Sequence, residues 1–309
     1  MRTSFGLCLL AWMLAGFVGC NKGSTASKPE AGNGAPAASK PSPTGNVPTA
    51  NLAAQQESPQ VSPAPTQRGY LVAHVFVCLC DNRNQGTARV SDELGNGQDP
   101  SHNLYWGAAN GVKTYFRHSS SWQALPFGHS SNDAILDQAA YVSTFQGKPL
   151  YVLAQAYDGA KGDRCLQDFF SAAAGTLKAD LEAGEGSDYR KIPAGGQADI
   201  VCFVGHNLLM DISMPALPTP EPSQGPRYSV VLACKSNAYF RQALQDKLHC
   251  TPLVLTAGLM APEAYTLEAV LMAADQGSSA ADVREKAALA YQKHQRCTLP
   301  AARRLFVGS

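Results

Sequence analysis

Two apolar runs, ADIVCFVGH over residues 198–206 and YSVVLAC over 228–234, each close on a reactive side chain. Short runs rich in Val and Ile, bounded by Gly and Pro, read as strands buried on both faces of a parallel sheet. In an open α/β sheet, sites form outside the carboxyl ends of such strands. His206 and Cys234 stand at those ends. If the two strands are neighbours, an imidazole and a thiol come within reach of each other, the minimum apparatus for nucleophilic catalysis by sulfur. Ser236 reads as the N-cap of a helix directly behind Cys234, and amides at a helix start are expected to lower the pKa of that thiol. The backbone amides of Asn207 and Cys234 are placed to form an oxyanion hole. Asn is the non-glycine residue most tolerant of positive φ, so it is expected to keep the turn after His206. Asp211 lies five residues beyond His206, near enough to orient the imidazole. The expectation nevertheless rests on His206 and Cys234.

The remaining pattern alternates strand and helix. Tyr70 to Cys80 is nearly all apolar and reads as a central strand, with Cys78 and Cys80 on one face and His74 as a hydrogen-bonded core histidine. Residues 104–118 read as helical. Residues 134–145 and 149–157 read as a strand pair turning at Gln146-Gly147. A helix is expected from Arg164 to Ala183, with Asp163 as N-cap and Gly184 at its end. Five prolines between Met210 and Arg227 rule out a regular helix there. Leu253 to Ala257 reads as another strand and 262–276 as a helix closed by Gly277. The last helix runs to about Gln295, capped by Ser279 with Asp282.

The blocks Val204-Gly205-His206-Asn207 and Val231-Leu232-Ala233-Cys234 resemble the caspase/legumain/gingipain/clostripain superfamily of cysteine peptidases. In that family one apolar block ends in His-Gly and the next in Ala-Cys, so Asn207 departs from the pattern. The resemblance implies a caspase-like three-layer α/β sandwich with a mostly parallel central sheet flanked by helices. It also implies a cysteine endopeptidase in which Cys234 attacks a carbonyl and His206 moves the proton, working largely as a dyad. By position, the loop after the first strand supplies the substrate pocket, which places Arg83 and Asp99 there.

Ahead of this domain, Arg2 and the apolar run from Gly6 to Val18 fit a signal peptide over 1–19, and Phe17-Val18-Gly19-Cys20 resembles a lipobox. Cys20 is then the lipidated residue, and the Pro/Ala/Ser-rich segment 20–67 is a disordered tether before a domain over 68–309. The expected location is the bacterial cell envelope, with the membrane as partner through the lipid and a peptide or protein as substrate. A formal net charge of +1 without a basic stripe speaks against nucleic acid. No cofactor motif is present. Cys78-x-Cys80 lacks the second pair that a metal site needs. Of nine cysteines, removal of Cys8 and Cys20 leaves seven. With Cys234 free, six remain to pair or to fill the core, and Cys78, Cys80 and Cys202 are assigned to the core. The competing expectation is a non-catalytic binding or scaffold lipoprotein on the same fold.

Overall fold

A computed structural model describes residues 68–85, 89–128, 130–143, 148–183, 189–222 and 226–309, all within the compact unit Glu57–Ser309. The signal peptide, Cys20, the tether, the Gln146-Gly147 turn and Gly184 lie outside the described residues. Among those described, ten strands and six helices alternate along the chain.

Strand β1 (Leu71–Cys78) is buried along its whole length and sits inside an eight-stranded sheet of order β10-β9-β8-β7-β1-β4-β3-β2. Its neighbours β4 (Leu150–Tyr157) and β7 (Ile200–Gly205) are parallel to it. So are β8 (Arg227–Leu232) beside β7 and β9 (Cys250–Thr256) beside β8. Antiparallel strands close both edges: β3 (Ile135–Ser143) and the short β2 (Gln123–Leu125) beyond β4, and the short β10 (Phe306–Val307) beyond β9. The five parallel strands, taken in chain order, lie 2-1-3-4-5 across the sheet. The order reverses between β1 and β7, and that is where a crevice opens in doubly wound sheets.

Alternating side chains divide the core into two layers. Ala73, Val75 and Val77 face helices α1 (Val112–His118), α4 (Ala264–Asp275) and α5 (Ala280–Gln295), together with Ala302 of α6 (Leu299–Leu305). Val72, Phe76 and Cys78 face α2 (Gly162–Ala173) and α3 (Ser236–Gln242), where Phe169, Phe170, Phe203 and Phe240 pack ring against ring. The result is a three-layer α/β sandwich with a mostly parallel sheet. Asp199 fastens β7 to β1 at their amino ends: its carboxylate accepts from the Val72 amide at 2.8 Å and pairs with Arg68 at 3.1 Å.

The β3–β4 hairpin is antiparallel as expected, and Ser279 caps α5 by accepting from the Asp282 amide. Other expectations need correction. Helix α2 stops at Ala173, because Gly175 adopts φ +87° and turns the chain, with the amides of Gly175 and Thr176 returning to Ala172 and Ser171. Residues 180–183 therefore form strand β5, paired with β6 (Arg190–Pro193), in place of the second half of a long helix. Residues 104–111 are turns and not helix. Gly107 and Gly111 lie against the backbone of Ser101 and Trp106 too closely for any Cβ. Helix α4 begins at Ala264, two residues later than read, although Gly277 ends it at φ +67°. Cys78 and Cys80 lie in opposite layers, since the strand ends at Cys78. Beyond it the Asn103 side chain acts as a substitute strand, accepting from the Cys80 amide at 3.0 Å and donating to its carbonyl at 2.8 Å.

Candidate functional site

The pairing frame of β7 and β8 ends at Val204↔Leu232. His206 and Cys234 each lie two residues further on, at the carboxyl ends of adjacent parallel strands. Neighbouring strands are about 4.8 Å apart. Gly205 holds this geometry: it still pairs with Cys78 of β1, at φ +148°, and a Cβ there would meet the Cys78 carbonyl oxygen at 2.7 Å. The site thus lies at the ends of β7 and β8, next to the β1–β7 reversal of strand order.

His206 is 7% exposed, and its Nε2 is 2.5 Å from the Asp211 carboxylate. Asn207 follows with φ −77°, so the turn does not use positive φ at this position as expected; Gly205 carries that conformation. The Asn207 side chain instead donates to the Cys234 carbonyl at 2.6 Å and accepts from the Leu209 amide at 3.1 Å. It ties the ends of β7 and β8 together. No main-chain hydrogen bond from the Asn207 or Cys234 amide is found among the described residues, and Asn207 is fully buried.

Cys234 is half-buried. Its sulfur accepts from the Met260 amide at 3.4 Å and lies 3.5 Å from the Met260 carbonyl, as a protonated thiol would; its hydrogen bonds are to this main chain and not to the imidazole. Burial pushes the thiol up, only partly offset by the Met260 amide and the positive charge of Lys235. The expected lowering by a helix start is therefore overturned. Helix α3 begins two residues later, and Lys235 at φ 51° is its N-cap. Ser236 is not the cap; its hydroxyl donates inward to Val231 and accepts from the Thr256 amide.

Of the two pocket residues expected on the loop after β1, Arg83 is exposed and uses its amide on Asp81 at 2.8 Å. Asp99 closes its own turn, accepting from His102 Nδ1 at 2.7 Å and the Ser101 amide at 3.0 Å, and these bonds hold its carboxyl below the usual range. The loop is organised by Asp81. Burial opposes its charge, but hydrogen bonds from Gln98, the Arg83 amide and Asn84 outweigh it and keep the carboxyl low. Tyr105, also from this stretch, hydrogen-bonds Cys80, and burial raises its phenol well above the ordinary value. No sequence signal marked Met260, which reaches the site through a loop.

Cys78, Cys80, Cys165, Cys202, Cys234 and Cys250 carry free thiols, and Cys78, Cys80 and Cys202 are buried core residues. His74 is the core histidine expected: Gly195 donates to its Nδ1 at 3.1 Å, its Nε2 bonds Gln155 at 2.9 Å, and burial lowers it to about 4. Among the described residues there is no cluster of His, Cys, Asp and Glu that would hold a metal, and no helix long and apolar enough to cross a membrane. No protein-family model, curated protein or solved structure matches the chain.

Proposed function

We propose that this protein is a cysteine hydrolase, an endopeptidase on a caspase-like α/β fold, with Cys234 as nucleophile and His206 as general base. The observation that carries the reading is the sheet register, in which β7 and β8 are adjacent and parallel and run out two residues before His206 and the half-buried Cys234, at the carboxyl edge of the sheet. The thiol is protonated at rest, so the two groups act by general-base catalysis and not as a preformed ion pair. As the sulfur bonds to the substrate carbonyl carbon, the S–H proton passes to His206. The carbonyl oxygen becomes an anion facing the amides of Asn207 and Cys234. Collapse breaks the C–N bond, and His206 gives its proton to the departing amine. Water then attacks the thioester, His206 takes a proton from it, and the thiol is restored as the acid leaves. The domain works at the cell envelope, held by lipid on Cys20 through the segment 20–67.

A second reading is favoured by one contact. The Met260 main chain satisfies the Cys234 thiol as a stable core thiol would be satisfied, which suits a binding or scaffold protein without chemistry. A panel of quenched-fluorescent peptides separates the two. Hydrolysis by the wild-type protein, lost by at least about 100-fold in Cys234→Ala, supports the hydrolase. No cleavage, or cleavage unchanged in that variant, leaves the binding reading.

A further inference from the structure

We infer that Asp211 is the positioning residue of the site: it fixes His206 in the tautomer protonated at Nε2 and leaves Nδ1 as the nitrogen that acts as base. The inference rests on the Cys234–His206 reading. A carboxylate only accepts, so the 2.5 Å contact with Asp211 Oδ2 requires the hydrogen to sit on Nε2. In a neutral imidazole the other nitrogen then carries the lone pair, and within the described residues nothing hydrogen-bonds to Nδ1.

Asp211 is not on a loose strand of loop. Residues Leu208–Met210 form a single 3-10 turn, capped by the Asn207 side chain, and the amides of Asp211 and Ile212 both return to the Leu208 carbonyl at 2.9 Å. Leu208 and Leu209 are buried on the α2 side of the sheet, and Leu208 packs so close to Gly162 that a Cβ there would meet it at 2.7 Å. Asn207 in turn is bonded to the Cys234 carbonyl. One rigid turn thus fixes three things: the spacing of the strand ends, the carboxylate, and through it the ring. His206 cannot rotate to present Nε2 without breaking the carboxylate contact in a setting where the ring is 7% exposed. The third group that orients a base is general to nucleophilic sites; here a five-residue turn supplies it.

The test uses the full-length protein labelled with ¹⁵N-histidine. Multiple-bond correlation spectra of neutral His206 are expected to show the Nε2–H tautomer in the wild type, with a mixed or reversed pattern in Asp211→Asn, whose amide can donate to the ring. With any peptide the wild type cleaves, Asp211→Asn is expected to lower kcat by at least about 10-fold with KM within about 2-fold, and Asp211→Glu to recover part of the loss. An Nδ1–H tautomer in the wild type, or an Asp211→Asn variant with unchanged spectrum and kcat, overturns the inference. If the wild type cleaves nothing, the hydrolase reading fails on its own, and the tautomer spectra still decide the role of Asp211.

Discussion

Cys234 and His74 show how burial sets the protonation of two groups that sequence alone leaves open. The thiol sits against the Met260 main chain and is pushed above its ordinary value by desolvation. Its alkylation by iodoacetamide, followed by mass spectrometry over pH, is therefore expected to inflect above the ordinary thiol range of about 8.5. An inflection below pH 7 would show a stabilised thiolate and contradict general-base activation. Cys297 is the other half-buried thiol and must be resolved separately, because the remaining five described cysteines are buried. His74 gives the pH dependence of stability. Its pKa falls from 6.5 to about 4 on folding, because burial penalises the charged ring more than Gln155 favours it. Between those values the unfolded chain binds the proton and the folded one does not. Stability is full above pH 6.5 and is lost as pH falls towards 4, by on the order of 3 kcal/mol. Asp275 works in the opposite sense. Burial raises its carboxyl to about 6, so its contribution is present at low pH and is lost as pH rises through that value. Comparing denaturation of wild type and His74→Gln over pH 4–7 cancels Asp275. A variant with the same slope as wild type would remove His74 from the account.

At the scale of elements, the join between β7 and its neighbours decides whether a site exists. Gly205 has a φ that side chains rarely adopt, and its missing Cβ is where the Cys78 carbonyl stands. Gly205→Ala is expected to cost about 1–3 kcal/mol from backbone strain, with the clash against β1 added to it. It should also reduce any activity, because it moves the end of β7 on which His206 sits. Chemical denaturation measures the first part; a change under about 0.5 kcal/mol would mean that the strand end relaxes freely. The same strand ends explain which elements were legible. β1, β7, β8 and β9 read directly from apolar runs, because strands buried on both faces need no alternation. Helix α2 departs from the reading because its apolar spacing continues through Leu177 and Leu181, while the chain obeys Gly175 and the helix ends at Ala173, ten residues before the expected stop. Those leucines pack against the α2 layer from outside the helix. Helix α6 and β10 were missed: a seven-residue helix hangs on the Thr298 cap, and a two-residue strand exists only through its pairing with β9.

For the whole molecule, five parallel strands fix one edge where sites form, and the two residues named from sequence fall at adjacent strand ends on that edge. Their placement was legible because a strand's end is set by local composition. What surrounds them was not. The Met260 contact comes from 26 residues along the chain, and the Asp211 contact depends on the handedness of one turn. Arg83 and Asp99, placed by position alone, belong to a loop whose polar groups mainly satisfy one another. The central claim is that His206 activates Cys234, and a peptide carrying an acyloxymethyl ketone tests it by intact mass and peptide mapping. Haloacetamides report exposure and thiolate fraction, whereas this electrophile must be bound and attacked in place. The account predicts one adduct per chain, on Cys234, formed at least about 100-fold more slowly in His206→Ala. An adduct on Cys297, or on Cys234 at an unchanged rate without the imidazole, would contradict it.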